Sequence, residues 1–353
     1  MVSKEVRHIP SLDGLRAISF LLVFVAHCGL DRYVPGGFGV TIFFFLSGFL
    51  ITTLMRTEFQ HNGAVNFRHF WLRRAFRILP PFYIVLFAAI AAASIFDPPG
   101  TLSGPAVTAQ LAHVTNYWLI YRGFVGQPAG TGVYWSLAVE EHFYLLFPWF
   151  FVAMQRLRLS QFRQAVVLWT LCGLVLLWRC VLVYHFEVAM DRTYMATDTR
   201  LDSILFGCAL AVWKNPVLDD LRLDERWWKL VVAPSALAVL VLCLMFRGSA
   251  FRETARYSLQ GVALTFIFIS AIKFPRWMPF RLLNTRALTF IGLLSYSLYL
   301  LHYAVIIAVQ RSTPRAGSGV QAVLSLSVSL VLAWGMYSLI ERPCARLRRQ
   351  LSD

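Results

Sequence analysis

The sequence predicts an all-α, polytopic membrane protein of about ten transmembrane helices with both termini cytoplasmic, and three observations predict it. Of 353 residues, 58% are hydrophobic and only 14% charged, with a mean hydropathy of +0.60, which no soluble domain of ordinary composition shows. Apolar runs near membrane-spanning length recur from end to end and leave no room for a sizeable soluble domain, so 1–353 reads as a single membrane domain. The net charge is +15, and the basic residues sit in short loops between the runs. With the N-terminus inside, 22 of the 33 basic residues fall on the cytoplasmic side and 9 outside, while Arg16 and Arg179 lie within spans. That bias is the positive-inside pattern, which explains the charge better than a nucleic-acid footprint does.

The expected spans are residues 12–29, 38–55, 76–96, 137–154, 164–185, 201–213, 229–246, 258–272, 287–309 and 319–340. No internal repeat is obvious, which argues mildly against the repeated halves of many transporters. The first run lacks an A-x-A-like cleavage site and is kept as a mature helix rather than a signal peptide. Six cysteines form no CxxC pair, so neither a disulfide framework nor a metal site is expected.

The first span, SLDGLRAISFLLVFVAHC, carries Arg16 and His27, eleven residues apart. Eleven steps of about 100° return to nearly the same helix face, roughly 16 Å along. Ionisable groups are expensive in hydrocarbon, so this stripe points to a protein interior or a wet cavity. The alternative is that Arg16 snorkels to the headgroups and His27 merely ends the helix. In the second span, Ser47-Gly48 suggests close helix packing, although the Ser47 hydroxyl has the plainer option of bonding back to its own helix. Before the third span, Arg74 and Arg77 share a helix face if the helix begins there, and Pro80-Pro81 is expected to break or kink it. A forked, permanently charged pair suits a phosphorylated ligand, and an ordinary positive-inside collar is the competing reading.

The long Gly- and Pro-rich loop 97–135 is expected outside. It leads into YWSLAVEEHFY, where Tyr134 and Trp135 fit an interfacial belt. Glu140 and Glu141 cannot both hide on one face, and Glu140 stands four residues from Tyr144 on a shared one. A carboxylate at the outer level of His27 could orient that imidazole, against the option of a wet helix end. Where the sixth span starts, Arg200, counted with the outside charges, and Asp202 are two apart and would not face each other, so each should pair elsewhere. In the ninth, Ser295, Tyr299 and His302 form one polar stripe. Glu341-Arg342-Pro343 ends the tenth span, with Glu341 expected near an arginine.

In this order, LDGLRAISFLLVFVAH, FFFLSGFLIT, RRAFR, WSLAVEEHFY, RLDSILFG and SYSLYLLH resemble the acyltransferase-3 family. These are multi-pass membrane O-acyltransferases that modify bacterial surface polysaccharides, peptidoglycan, nodulation factors and macrolide antibiotics. The resemblance implies that Arg16, His27, Arg74 and Arg77 are functional, that acyl-CoA is the donor co-substrate with no permanently bound cofactor, and that the protein sits in the cytoplasmic (inner) membrane of a bacterium. Some members carry a fused SGNH hydrolase-like domain; this chain ends 13 residues after its last expected span, so none is expected here.

The expected function is transfer of an acyl group, acetyl above all, to a hydroxyl of a carbohydrate or other acceptor. An alcohol needs a base to become a nucleophile, and His27 is the candidate, either as general base or as a transient acyl carrier, with Glu140 orienting it. Arg16, Arg74 and Arg77 are expected to hold the donor. Ser47, Trp135, Ser136, Tyr144, Arg200, Asp202, Ser295, Tyr299 and His302 are expected to line the substrate cavity. The rival is a proton-coupled transporter or flippase that uses Glu140 and His27 as a relay.

Overall fold

A computed structural model describes residues 9–350, with side chains to residue 347. Lys4 and Arg7, which contribute to the charge bias, lie outside the described residues, as do the side chains of Arg348 and Arg349. Among the described residues there is no strand. The helices in chain order begin with α1 (Pro10–Val25), α2 (Gly36–Asn62), α3 (Phe67–Phe96), α4 (Gly104–Leu111), α5 (Thr115–Arg122) and α6 (Trp135–Arg156). Then come α7 (Gln161–Tyr184), α8 (Met190–Met195), α9 (Thr197–Val212), α10 (Glu225–Trp227), α11 (Ala233–Met245) and α12 (Ser249–Glu253). The last six are α13 (Ala255–Lys273), α14 (Phe280–Leu283), α15 (Arg286–Leu293), α16 (Ser295–Ser312), α17 (Ser318–Met336) and α18 (Arg342–Gln350). Among the described residues, eight helices are long and apolar enough to cross a membrane, and nine if α15 and α16 form one span interrupted at Leu294.

Each of the ten expected spans falls on helix, and the count differs because the ninth is broken between α15 and α16 and because α9 is short. It has 16 residues, or about 24 Å at 1.5 Å per residue, against a hydrocarbon core of about 30 Å. Thirteen of the 16 are buried, so α9 is wrapped by protein rather than lipid. Arg200, counted above as an outer-loop charge, lies inside this helix and is wholly buried.

Two further expectations change. Pro80 and Pro81 do not break α3, which runs through them from Phe67 to Phe96 after Asn66 caps it by accepting from the His69 amide at 3.0 Å. Beside these prolines the Tyr296 hydroxyl of α16 donates to the Ile78 carbonyl at 2.7 Å. The 97–135 segment is not a plain loop: it folds into α4, α5 and a 3-10 turn, Gly132–Tyr134.

The chain divides into two compact units. The first comprises Met1–Ser19, Gly37–Val65 and Leu146–Leu293; the second comprises Phe20–Gly36, Asn66–Leu145 and Leu294–Asp353. In the first unit α7 packs on α9, and α13 on both α9 and α11. Glycines set the closest approach there, as Ser47-Gly48 suggested: a Cβ on Gly48 would stand 2.0 Å from the Ile204 carbonyl oxygen, and one on Gly207 2.0 Å from that of Phe45. α2 and α9 therefore touch backbone to backbone. In the second unit α16 packs on α17 and α3, and α18 lies on α3.

Candidate active site

His27 sits where α1 changes character. The last turn, Ala26–Leu30, is π-helical, and Gly29 inside it takes φ +91°. A π-turn inserts an extra residue into the helix and often marks a functional position, and the left-handed φ there suits glycine. His27 is half-buried and its ring stacks on Tyr303, with centroids 4.5 Å apart. Its Nδ1 lies 3.0 Å from Nε2 of His302, which comes from α16 and is wholly buried. Phe20 meets the His302 ring edge-on at 5.8 Å.

The hydrogen bonds fix both tautomers when the rings are neutral. His302 Nδ1 lies 2.8 Å from the Tyr299 carbonyl oxygen. A carbonyl only accepts, so Nδ1 of His302 carries its proton and Nε2 holds a lone pair. His27 must then donate from Nδ1, which leaves the lone pair of His27 on Nε2. One backbone carbonyl thus determines which nitrogen of His27 is basic, two imidazoles away. The partner on Nδ1 is a histidine, where the sequence pointed to Glu140.

One turn earlier on α16, Tyr299 extends the polar stripe as expected. Its hydroxyl shares a 2.6 Å hydrogen bond with Ser136 and donates to the Val133 carbonyl at 3.0 Å. Ser136 and Trp135 open α6 and are buried, as is Ser295 at the start of α16. Tyr134 donates to the Leu300 carbonyl at 3.2 Å, which pins the start of α6 to α16.

The same unit holds the arginine pair. Half-buried Arg74 lies over the Tyr144 ring at 5.9 Å and acts electrostatically on Glu141. Tyr144 donates to Glu140 at 3.4 Å, the shared face read from their spacing. Exposed Arg77 acts on Glu341, whose carboxylate accepts from Ser297. The two arginines therefore stand among three carboxylates; an arginine near Glu341 was expected from the sequence, and Glu141 beside Arg74 was not.

The other expected site residues belong to the first unit. Arg16 donates to Asp13 at 2.8 Å. Ser47 is half-buried on α2. Asp202 is wholly buried in an ion pair with Arg179 of α7, 2.7 Å at the shorter contact, so it is a structural group rather than a cavity wall. Arg200 lies over the rings of Tyr257 at 4.0 Å and of Phe44 and Tyr194 at 5.5 Å, and donates to Thr41 at 3.0 Å. Each of the pair does find its partners on other elements.

With this geometry in view, a family model described as an acyltransferase domain matches residues 9–338. The chain belongs to the acyltransferase-3 family of enzymes. Among curated relatives in this family, it is 35% identical, over 96% of its length, to "Putative peptidoglycan O-acetyltransferase YrhL" of Bacillus subtilis. It is 30% identical, again over 96%, to "Peptidoglycan O-acetyltransferase OatA" of Listeria monocytogenes. The same identity and coverage hold for "Putative O-acetyltransferase SACOL0978" of Staphylococcus aureus. The chain spans 55, 56 and 58% of these three proteins, little more than half of each. No solved structure matches it.

Within the family frame, sequence reasoning missed Tyr303, Tyr296 and Ser297 as site neighbours. Tyr296 and Ser297 lie inside the quoted SYSLYLLH run and Tyr303 directly follows it, so a wider reading of that polar stripe would have reached them.

Proposed function

We propose that the chain transfers an acyl group, acetyl by the names of its relatives, from cytoplasmic acyl-CoA to a hydroxyl of a glycan, in the inner membrane of a bacterium with both termini cytoplasmic. The observation that carries this reading is the His27–His302 pair, which leaves His27 with a basic Nε2 on a half-buried ring. His302 is wholly enclosed and cannot meet an acceptor itself.

His27 Nε2 takes the proton of the acceptor hydroxyl as its oxygen attacks the thioester carbonyl. The imidazolium that forms keeps its Nδ1–H bonded to neutral His302, which holds the ring through the step. Collapse of the tetrahedral adduct breaks the C–S bond, and the imidazolium returns the proton to the leaving CoA sulfur. The products are an ester and CoA, and His27 is neutral again. Arg74 and Arg77 hold the donor's phosphates from α3, in competition with Glu141 and Glu341.

Purified protein in nanodiscs, given acetyl-CoA, should release CoA at a rate that depends on added glycan; release independent of any acceptor, or none at all, contradicts the reading. Arg74→Ala or Arg77→Ala should weaken acyl-CoA binding by about 1.5–3 kcal/mol, the scale of a charge-assisted hydrogen bond. Lysine should restore only part, because it keeps the charge and loses the fork. Unchanged affinity in both alanine variants would reassign the pair to holding Glu141 and Glu341.

A further inference from the structure

Between α3 and α16 the second unit holds a cavity of about 430 Å³, within the range of about 300–1,000 Å³ usual for ligand sites. Ala89, Ala92 and Ala93 of α3 and Ala304, Ile307 and Ala308 of α16 form its walls, and the acyl-transfer chemistry uses none of them. Six of its eleven lining residues are alanine. Where a leucine or isoleucine would fill the gap between two packed helices, a methyl group leaves it open. Ala92 and Ala308 are exposed and lie on apolar spans, so the cavity opens sideways into hydrocarbon.

One end of the cavity is charged. Arg311, in the last turn of α16, and Asp97, which ends α3, meet there at 2.7 Å. The partners are unequally placed: 57% of the Arg311 side chain is exposed against 8% of that of Asp97, so the mouth presents a cation. Asp97 takes one of the five guanidinium donors, and Arg315, also exposed, follows four residues later. The polar groups beside them are satisfied within their own helices: the Ser312 hydroxyl donates to the Ala308 carbonyl at 2.8 Å, and the Asp97 amide to the Ala93 carbonyl at 3.0 Å. From Ala304 to Arg311 the wall runs roughly 10 Å at 1.5 Å per residue, about two thirds of the ~15 Å of hydrocarbon in one leaflet.

We propose that this cavity binds an anionic glycerophospholipid of the surrounding bilayer, with an acyl chain along the alanines and the phosphate on Arg311. An apolar channel that runs down a leaflet from an exposed guanidinium matches that molecule end to end. The planar fork fits phosphate oxygens, and the methyl-lined wall asks no hydrogen bond of an extended chain. Phospholipid is also the most concentrated ligand of this chemistry around a spanning helix, so mass action fills the site even at modest affinity. The site is separate from the reacting groups. His302 precedes Ala304 by two residues, about 200° round α16, and so faces away from the cavity that Ala304 lines. The lipid acts on the scaffold instead: it fills the gap between α3, which carries Arg74 and Arg77, and α16, which carries His302.

The test mixes the full chain in mild detergent with equal amounts of phosphatidylglycerol and phosphatidylcholine of the same acyl chains, and counts the lipid retained by native mass spectrometry. The wild type should retain phosphatidylglycerol over phosphatidylcholine by about fivefold, the worth of one arginine beside an anionic headgroup. Arg311→Gln should bring that ratio near one. Arg311→Lys should keep most of it, because an ammonium still binds phosphate as a point charge. Ala308→Trp, at an exposed position, blocks the groove and should lose the retained lipid whatever its headgroup. Equal retention by the wild type, Arg311→Gln and Ala308→Trp would mean ordinary boundary lipid and would overturn the inference. So would a preference for phosphatidylglycerol that survives Arg311→Gln. Displacement of phosphatidylglycerol by an equal amount of a long-chain polyprenyl phosphate would place a different lipid in the cavity and overturn it too. Binding is read here without catalysis, so each of these failures leaves the acyl-transfer reading standing.

Discussion

His27→Ala should reduce acyl transfer by on the order of 10²–10⁴-fold, the usual worth of a positioned general base. The expectation follows from the tautomer chain. The Tyr299 carbonyl sets His302, and His302 sets His27, so that the lone pair of His27 sits on Nε2. Acyl-CoA binding should stay near normal, because the imidazole acts on the acceptor hydroxyl. A His27→Ala protein that also loses donor binding would place the histidine at the thioester and favour a transient acyl-carrier role. A folded, fully active His27→Ala protein would end the mechanism.

The second large effect is on folding and lies in the first unit. Asp202→Ala should destabilise the protein by about 3–5 kcal/mol, the cost of stranding one member of a buried ion pair. Arg179 and Asp202 have no exposed side-chain surface, and the guanidinium uses all five donors. Nε donates to Thr254 at 3.1 Å; Nη1 donates to Thr199 at 2.5 Å and to Asp202 at 2.9 Å; Nη2 donates to Asp202 at 2.7 Å and to Ser258 at 2.7 Å. Removing the carboxylate leaves a cation where water cannot reach it. Replacing both residues, as Arg179→Met with Asp202→Leu, should recover much of the loss, because a well-packed apolar pair costs no desolvation. Thermal unfolding in detergent measures both. A double variant as unstable as Asp202→Ala would show that the network's other hydrogen bonds, to Thr199, Thr254 and Ser258, carry the stability.

Most of the fold could be read from the chain because hydrocarbon imposes a local pattern: a span must be a long apolar run, and a run is visible residue by residue. α9 escapes that rule because protein surrounds it, so its length answers to α2, α7 and α13 rather than to the bilayer. The α3 prolines do not break the helix because the breaking effect of proline is local, while α3 is also held by its packing against α16 and α18. The site shows the same division. That His27 and His302 were each costly and unexplained was evident from their positions in apolar runs. That they pair, across 275 residues, was not, because a contact between distant segments leaves no periodicity behind. The sequence points to Asp202 both as a cavity residue and as a partner of a charge on another helix; an acidic residue in an apolar run signals either equally well, and its contact with Arg179 decides for the ion pair.

A double-variant cycle on His27 and His302 separates a relay of two imidazoles from two independent histidines. If His302 acts only by holding His27 in the productive tautomer, His302→Phe should slow acyl transfer severely, and His27→Ala with His302→Phe should be no slower than His27→Ala alone. Measured as acetyl transfer from acetyl-CoA by purified protein in nanodiscs, that non-additivity is the predicted result. Effects that multiply, with the double variant slower than His27→Ala by the full His302→Phe factor, would contradict it.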